Sequence, residues 1–191
     1  MAKFRGKISS GIYKGKSLEL PSLGTTRSTK SIVKGSFFDS FRYELEGSCF
    51  IEGFGGSGGM ALEALSNGAK EVFAIEKDRK AYEITRRNFA LFGVEKNALN
   101  GDCFALLPQI LANLDNEKIF IYLDPPFDIR DGFAGIYERV VGLICEICEC
   151  ERVKFVIIEH ASEVKFEANI AKFSLLKSKK FGATTLSCYA K

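Results

Sequence analysis

The residues best suited to chemistry are Asp124-Pro125-Pro126-Phe127, directly after the apolar run Ile119 to Leu123. Two consecutive prolines remove two backbone donors and fix φ, so this loop offers acceptors without competing N–H groups. An aminopurine nitrogen is a poor nucleophile because its lone pair is delocalised into the ring. The Asp124 carboxylate and the Pro125 carbonyl would accept its two hydrogens and localise that lone pair. Phe127 would give a stacking face to a base lifted from its neighbours. No covalent enzyme intermediate is required, because positioning and electrostatics supply the catalysis.

A second constellation is Glu52-Gly53-Phe54-Gly55-Gly56-Ser57-Gly58-Gly59. Glycines between a strand and a helix let a ligand approach the backbone closely. Gly53-x-Gly55-x-x-Gly58 matches the dinucleotide fingerprint, and Glu76 follows Gly58 by 18 residues. A nicotinamide-dependent oxidoreductase is therefore one reading. A phosphate-gripping P-loop is excluded, since no Gly-Lys-Ser/Thr follows. Glu52 argues for a different ligand: a carboxylate before the glycines repels a pyrophosphate and suits the ammonium of a methionine moiety. Glu52, Glu76 and Asp102 then form a series at successive strand ends, facing an ammonium, ribose hydroxyls and an adenine amine. Together they point to S-adenosylmethionine. The expected cofactor contacts are Glu52, Phe54, Gly55, Gly56, Ser57, Gly58, Glu76, Lys77, Asp102 and Cys103. Asp102 also reads as a plain helix N-cap.

Positioning these residues requires a defined scaffold. Cys49–Ile51, Glu71–Ile75, a weak stretch at Ala98–Leu99, Ile119–Leu123 and Phe155–Ile158 read as strands. Met60–Leu65, Ala81–Phe92, Leu106–Leu111 and Ile136–Ile147 read as the helices between them. This alternation predicts an α/β fold with a parallel sheet, whose ligands bind past the carboxyl ends of the strands. Phe173–Leu176 and Thr184–Tyr189 read as a closing hairpin. Before the sheet, Ile8–Tyr13 and Ser17–Leu20 read as a hairpin around Lys14-Gly15-Lys16, and Val33, Phe37 and Phe41 mark one face of a helix. Residues 1–46 are thus an N-terminal arm and residues 47–191 the main domain.

Residues 1–47 hold nine Lys/Arg against four Asp/Glu, whereas the remainder holds 18 against 20. A basic arm on a near-neutral body suits a phosphate-rich partner, with Lys14, Lys16, Arg27, Lys30 and Lys34 as the expected contacts. With 46% hydrophobic and 27% charged residues and no apolar run of membrane-spanning length, the composition is that of a soluble chain with a real core. No signal peptide is evident, and six irregularly spaced cysteines suggest the cytoplasm. Cys145-x-x-Cys148-x-Cys150 lacks a second pair of zinc ligands, and its spacing places Cys145 and Cys148 on one core-facing side of a helix. His160 reads as structural. Lys177, Lys179 and Lys180 read either as an RNA contact or as a solvated turn.

The order of hairpin, basic helix, glycine loop and Asp-Pro-Pro-Phe resembles the RsmD family of 16S ribosomal RNA guanine-N2 methyltransferases. The matching stretches are Gly11-Ile12-Tyr13-Lys14-Gly15-Lys16, the region of Arg27-Ser28-Thr29, Phe54-Gly55-Gly56-Ser57-Gly58, Leu62-Glu63-Ala64-Leu65, Asn67-Gly68-Ala69 and Asp124-Pro125-Pro126-Phe127. The resemblance implies a Rossmann-like, class I methyltransferase sheet ending in a hairpin, S-adenosylmethionine as methyl donor, and 16S rRNA of the small ribosomal subunit or its assembly intermediate as partner. It implies guanine 966 as target, with Glu76 on the ribose, Asp102 on the adenine and Asp124 on the target amine. The chain departs from the family pattern at Glu52, where Asp is usual, and at Gly53, where a larger apolar residue is usual. Arg27-Ser28-Thr29 replaces Arg-Pro-Thr, and Ile32 and Gly35 replace charged residues. A nicotinamide-dependent enzyme and a non-catalytic RNA-binding module stay open as alternatives.

Overall fold

A computed structural model of the chain describes residues 4–21, 27–127 and 135–191, with the backbone alone for 27–30. Five strands, β5 (Ala98–Asn100), β4 (Glu71–Glu76), β3 (Cys49–Gly53), β6 (Ile119–Leu123) and β7 (Val153–Ala161), lie side by side in that order and run parallel. The sheet continues through β10 (Thr184–Ala190), β9 (Phe173–Phe181) and the two-residue β8 (Asn169–Ile170), each antiparallel to its neighbour. The predicted α/β architecture and closing hairpin are both present. β8 carried no readable sequence signal, because two residues show no periodicity.

Every residue of β3 and β6 is buried, as continuous apolar strands covered on both faces must be. Successive residues point to opposite faces, so Phe50, Phe120 and Tyr122 enter one core cluster and Ile51, Ile121 and Leu123 the other. Helices α1 (Arg27–Phe41), α2 (Gly59–Ser66) and α3 (Arg79–Ala90) cover the first face; α4 (Cys103–Ala112) and α5 (Ile136–Ile147) cover the second. The four-residue spacing in α1 places Phe37 5.7 Å from the Tyr122 ring and Phe41 5.4 Å from Phe155. Among the described residues, no helix is long and apolar enough to cross a membrane.

The N-terminal hairpin differs from expectation. Its strands are β1 (Phe4–Lys7) and β2 (Ser17–Leu20), with Phe4 opposite Leu20 and Lys7 opposite Ser17. The stretch Ile8–Tyr13 is not a strand. In an extended strand Ile8 and Ile12 would share a face, yet Ile8 is 1% exposed and Ile12 80%. The cause is distant in sequence. The Glu63 carboxylate, on α2, accepts hydrogen bonds from the N–H and hydroxyl groups of both Ser9 and Ser10 at 2.7–3.0 Å. Gly11, at φ +76°, lets the chain pass so close to the end of α2 that a Cβ there would lie 1.8 Å from the Ser66 carbonyl oxygen.

Lys34 donates to the same Glu63 carboxylate at 2.6 Å, and the Glu63 side chain is wholly buried. Burial alone would raise the Glu63 pKa, but the Lys34 ammonium and the Ser9 donors outweigh it and hold the carboxyl below its usual range. A folded pKa below the unfolded one means that this stabilisation is complete above the ordinary carboxylate range. It is lost as pH falls through the depressed value. Glu63→Gln is expected to cost about 3 kcal/mol by leaving the ammonium half-paired, which lowers Tm by roughly 6–12 °C. It should also flatten the acid limb of stability against pH. Thermal melts between neutral pH and pH 3 check both, and an unchanged Tm would show that Glu63 does not hold the arm.

Candidate active site

The parallel register brings the candidate residues to one edge. Leu99, Ile75, Gly53, Leu123 and Ile158 form a single row across β5, β4, β3, β6 and β7. One residue further lie Glu76, Phe54, Asp124 and Glu159, and Asp102 opens α4 two residues past β5. The acids and the Asp-Pro-Pro-Phe loop therefore share the carboxyl edge of the sheet, where an α/β fold binds ligands.

Phe54 leaves β3 at φ 62°, a strained conformation for a side chain of this size. Its ring meets Phe104 edge-on at 5.6 Å. The Gly55 N–H donates to the Ile75 carbonyl at 2.7 Å, which bends the loop back over β4. The Gly56 N–H donates to Glu76 Oε2 at 2.7 Å, while Glu76 Oε1 accepts from the Asp78 N–H at 2.7 Å. Each Glu76 oxygen keeps a lone pair for a ribose hydroxyl. A Cβ on Gly56 would meet nothing within 4 Å, so this backbone borders open space. The Ser57 carbonyl accepts from the buried Asn88 side chain at 2.8 Å, which leaves the loop fixed from behind.

Glu52 sits opposite Tyr122 in the sheet and is 6% exposed. Its Oε2 accepts from the Ala61 N–H in the first turn of α2 at 2.8 Å. The carboxylate thus occupies the helix terminus that a pyrophosphate would use. Asp102 combines both of its readings. It caps α4 by accepting from the Phe104 N–H at 3.1 Å, and its Oδ2 pairs with Lys77 at 3.0 Å. Burial raises its pKa, but Lys77, the Phe104 N–H and Arg139 hold it below the usual range. Lys77 is engaged with this carboxylate. Cys103 is buried, and that burial pushes its thiol up to about 12, so it is a neutral packing group at the cofactor side.

The Asp124 N–H lies 3.5 Å from the Gly53 carbonyl, which places the Asp-Pro-Pro-Phe loop against the start of the glycine loop. Pro125 is buried; Asp124, Pro126 and Phe127 are half-buried. Beneath them Tyr122 donates to Glu159 Oε2 at 2.7 Å within the sheet.

A family model described as conserved hypothetical protein 95 matches residues 6–190. The chain belongs to this family, the RsmD family. The Bacillus subtilis "Putative rRNA methyltransferase YlbH" is 27% identical over 97% of this chain and 98% of its own length. The Haemophilus influenzae "Ribosomal RNA small subunit methyltransferase D" is 27% identical over 76% of this chain and 73% of its own. The solved Escherichia coli "Putative methyltransferase yhhF" superposes with a TM-score of 0.73 at 24% identity, covering 98% of both chains. The fold is the Rossmann-like methyltransferase fold.

Of the basic arm, Lys14 is exposed, and Lys16 and Lys34 are half-buried. Lys16 donates to the Leu91 carbonyl at 2.6 Å and sits 4.1 Å from the Phe92 ring centre. Lys34 is held by Glu63. The side chains of Arg27 and Lys30 lie outside the described residues. Cys148 is buried but Cys145 is exposed: Cys148 falls beside Ile144 and Ile147 at the margin of the buried stripe of α5, and Cys145 lies outside it. His160 is buried and built in. Its Nδ1 faces the Ala161 carbonyl and its Nε2 the Ser187 hydroxyl, each at 2.9 Å, so Nδ1–H donates and Nε2 accepts. Burial lowers its pKa, partly offset by the Ala161 carbonyl, and it stays neutral.

Sequence reasoning missed three side chains around the site. A tyrosine inside the fully apolar run of β6 signals a buried partner, which is Glu159. Arg139 stacks 3.9 Å from the Phe104 ring centre, and Asn88 ties the glycine loop to the Glu19 backbone of β2. No local pattern marks the last two, since their partners are 31–69 residues away.

Gly53 departs from the family because its space is taken. A Cβ there would lie 2.6 Å from Cys103 Sγ and 2.8 Å from Leu123 Cδ2. Gly53→Ala is expected to cost about 1–3 kcal/mol by overpacking. Adding Cys103→Ala should recover part of the loss, a non-additivity readable by chemical denaturation of both single variants and the double. Purely additive losses would show that Cys103 does not fill that space.

Proposed function

We propose that this chain transfers a methyl group from S-adenosylmethionine to the exocyclic N2 of a guanine in 16S rRNA, within the small ribosomal subunit or its assembly intermediate. Guanine 966 is the target that the sequence resemblance implies; the chemistry of the Asp124-Pro125 loop supports an exocyclic amine. The observation that carries this reading is the Asp124-Pro125 loop seated directly beside the glycine loop, at 3.5 Å from the Gly53 carbonyl.

The cleft fits this cofactor in three respects. Gly56 borders open space, Glu76 keeps acceptor capacity toward a ribose, and the Asp102 carboxylate keeps lone pairs that suit an adenine amine. S-adenosylmethionine, when bound, supplies an electrophilic methyl group. Asp124 and the Pro125 carbonyl accept the two hydrogens of the target amine and turn its lone pair outward. With the N–C bond formed and the sulfonium S–C bond broken, its electron pair staying on the departing thioether, the nitrogen would be cationic; the nearby Asp124 carboxylate would stabilise that charge and take the released proton. Phe127 supports the base by stacking. A nicotinamide dinucleotide suits the cleft less well, because the Glu52 carboxylate stands at the α2 terminus where its pyrophosphate would bind.

S-adenosylhomocysteine at 100 times its Kd should stabilise the fold by ~2.7 kcal/mol, and NAD should leave Tm unchanged. A Tm shift with NAD alone would reverse the choice of cofactor. Asp124→Ala should nearly abolish methyl transfer while cofactor affinity stays within a few-fold. Glu76→Ala should weaken cofactor binding about tenfold or more. Calorimetry and turnover on unmethylated small subunits separate the two roles, and the opposite pattern would exchange them. Nucleoside digestion of the product should yield N2-methylguanosine; N6-methyladenosine or N4-methylcytidine would refute the guanine assignment alone.

A further inference from the structure

The arm supplies one positive charge less than its composition suggests, since Lys34 is paired with the buried Glu63 carboxylate. A different part of the chain makes up the deficit. Residues 168–191 contain five lysines and no acid, and three of them, Lys177, Lys179 and Lys180, lie on β9. This segment is no solvated turn. Lys177 Nζ donates to Ser40 Oγ at 2.9 Å and Lys179 Nζ to Ser36 Oγ at 3.1 Å, both on α1. The seam between α1, β9 and β10 leaves a void of only about 10 Å³, so the stems of Lys177 and Lys179 stand on a packed surface, while Lys180, opposite Thr185, points to the other face of the strand.

The direction of this strip matters. β10 is antiparallel to β7, with Thr184 opposite Ala161, so the turn between β9 and β10 lies at the carboxyl edge of the sheet. β9 therefore climbs toward the candidate active site as it passes Lys177, Lys179 and Lys180. Ser40 and Ser36 pair with Lys177 and Lys179 in that order, so α1 rises to the same rim at its N-terminal end. β8 pairs with β9 only at Phe173 and Ser174. Beyond them β9 is an exposed edge among the described residues, with Leu176 60% exposed.

We propose that the edge of β9, with the adjoining face of α1, is a track for the RNA phosphate backbone leading to the target-base site. This rests on the rRNA reading given above and adds a second, C-terminal element to the RNA surface. Charge complementarity selects the occupant: three ammonium groups within four residues, with no intervening acid, attract phosphates and do not read bases. A second copy of the chain is disfavoured there, because strand-to-strand pairing would set lysines against lysines.

The test compares the triple variant Lys177→Gln/Lys179→Gln/Lys180→Gln with a charge-matched control, Lys70→Gln/Lys96→Gln/Lys118→Gln. The control residues precede β4, β5 and β6 at the opposite edge of the sheet. Methyl transfer and RNA binding are measured on unmethylated small subunits between about 50 and 200 mM salt. For the triple variant, KM for RNA should rise about tenfold, kcat should change less than about twofold, and the salt slope should flatten by about 2. S-adenosylhomocysteine affinity should stay unchanged in both proteins, and the control should match the wild type. Lys180, opposite Thr185, projects from the other face of β9, so Lys180→Gln keeps both contacts to α1 and should preserve Tm; because the phosphates run along the edge itself, it should still raise KM about twofold. Equal effects of the two triples, or an unaffected KM in Lys180→Gln, would overturn the track. So would a wild-type dimer that the triple variant dissolves. A wild type that binds rRNA through these lysines but transfers no methyl group would refute the functional reading and leave the track standing. A wild type that binds no RNA would refute both.

Discussion

Parallel strands in shared register end at one level, and this constraint governs everything at the candidate site. β3 pairs residue for residue with β4 on one side and β6 on the other, from Cys49 opposite Glu71 and Ile119 to Gly53 opposite Ile75 and Leu123. Whatever follows Gly53, Ile75 and Leu123 must then stand side by side at the carboxyl edge. A slip of one residue in β6 would send Tyr122 to the wrong core and lift Asp124 away from Gly53. The register is held because both faces are buried: Phe50 and Phe120 must meet α1 on one side while Ile51 and Ile121 meet α4 and α5 on the other.

On this edge the carboxylates are distributed by their donors. Glu52 goes to the α2 terminus, Glu76 to the glycine loop and Asp102 to the α4 terminus and Lys77. Three acids of similar type thereby acquire different duties. Glu52 accepts from the first turn of α2, Glu76 from the Gly56 and Asp78 N–H groups, and Asp102 from the Phe104 N–H and Lys77. The same logic runs on the far side of α2, where Glu63 gathers Ser9, Ser10 and Lys34 and draws the N-terminal segment onto the helix. Asn88 completes the link by joining β2 to the glycine loop through the Glu19 and Ser57 carbonyls. Arm and catalytic edge are therefore one hydrogen-bonded assembly. Within that assembly Lys34 pairs with Glu63 and Lys16 donates to the Leu91 carbonyl.

Local pattern was sufficient wherever a single element determined its own fate. Ile119–Leu123 and Ile136–Ile147 have the bounds expected of them, since an unbroken apolar run and a helical stripe each need only a nearby core. The glycine loop, the acids at strand ends and Asp-Pro-Pro-Phe were readable in type and order, because their chemistry follows from residue identity and spacing. Pattern failed where the deciding partner was remote. Ser9 and Ser10 bond to a carboxylate 53–54 residues away, and this pulls Ile8–Tyr13 out of the hairpin. β9 runs on to Phe181 although its later residues are polar, because the β10 ladder and the serines of α1 support it.

The amino-acid sequence by itself thus determined the fold class, the family and the inventory of groups able to do chemistry. Tertiary structure alone decided which of those groups meet. Glu63 and Lys34 pair across 29 residues, Glu52 accepts from the Ala61 N–H nine residues on, and Lys177 and Lys179 of β9 lie beside the serines of α1. The physical reason is that a buried charge must find a partner wherever the fold brings one, and sequence spacing carries no record of that meeting.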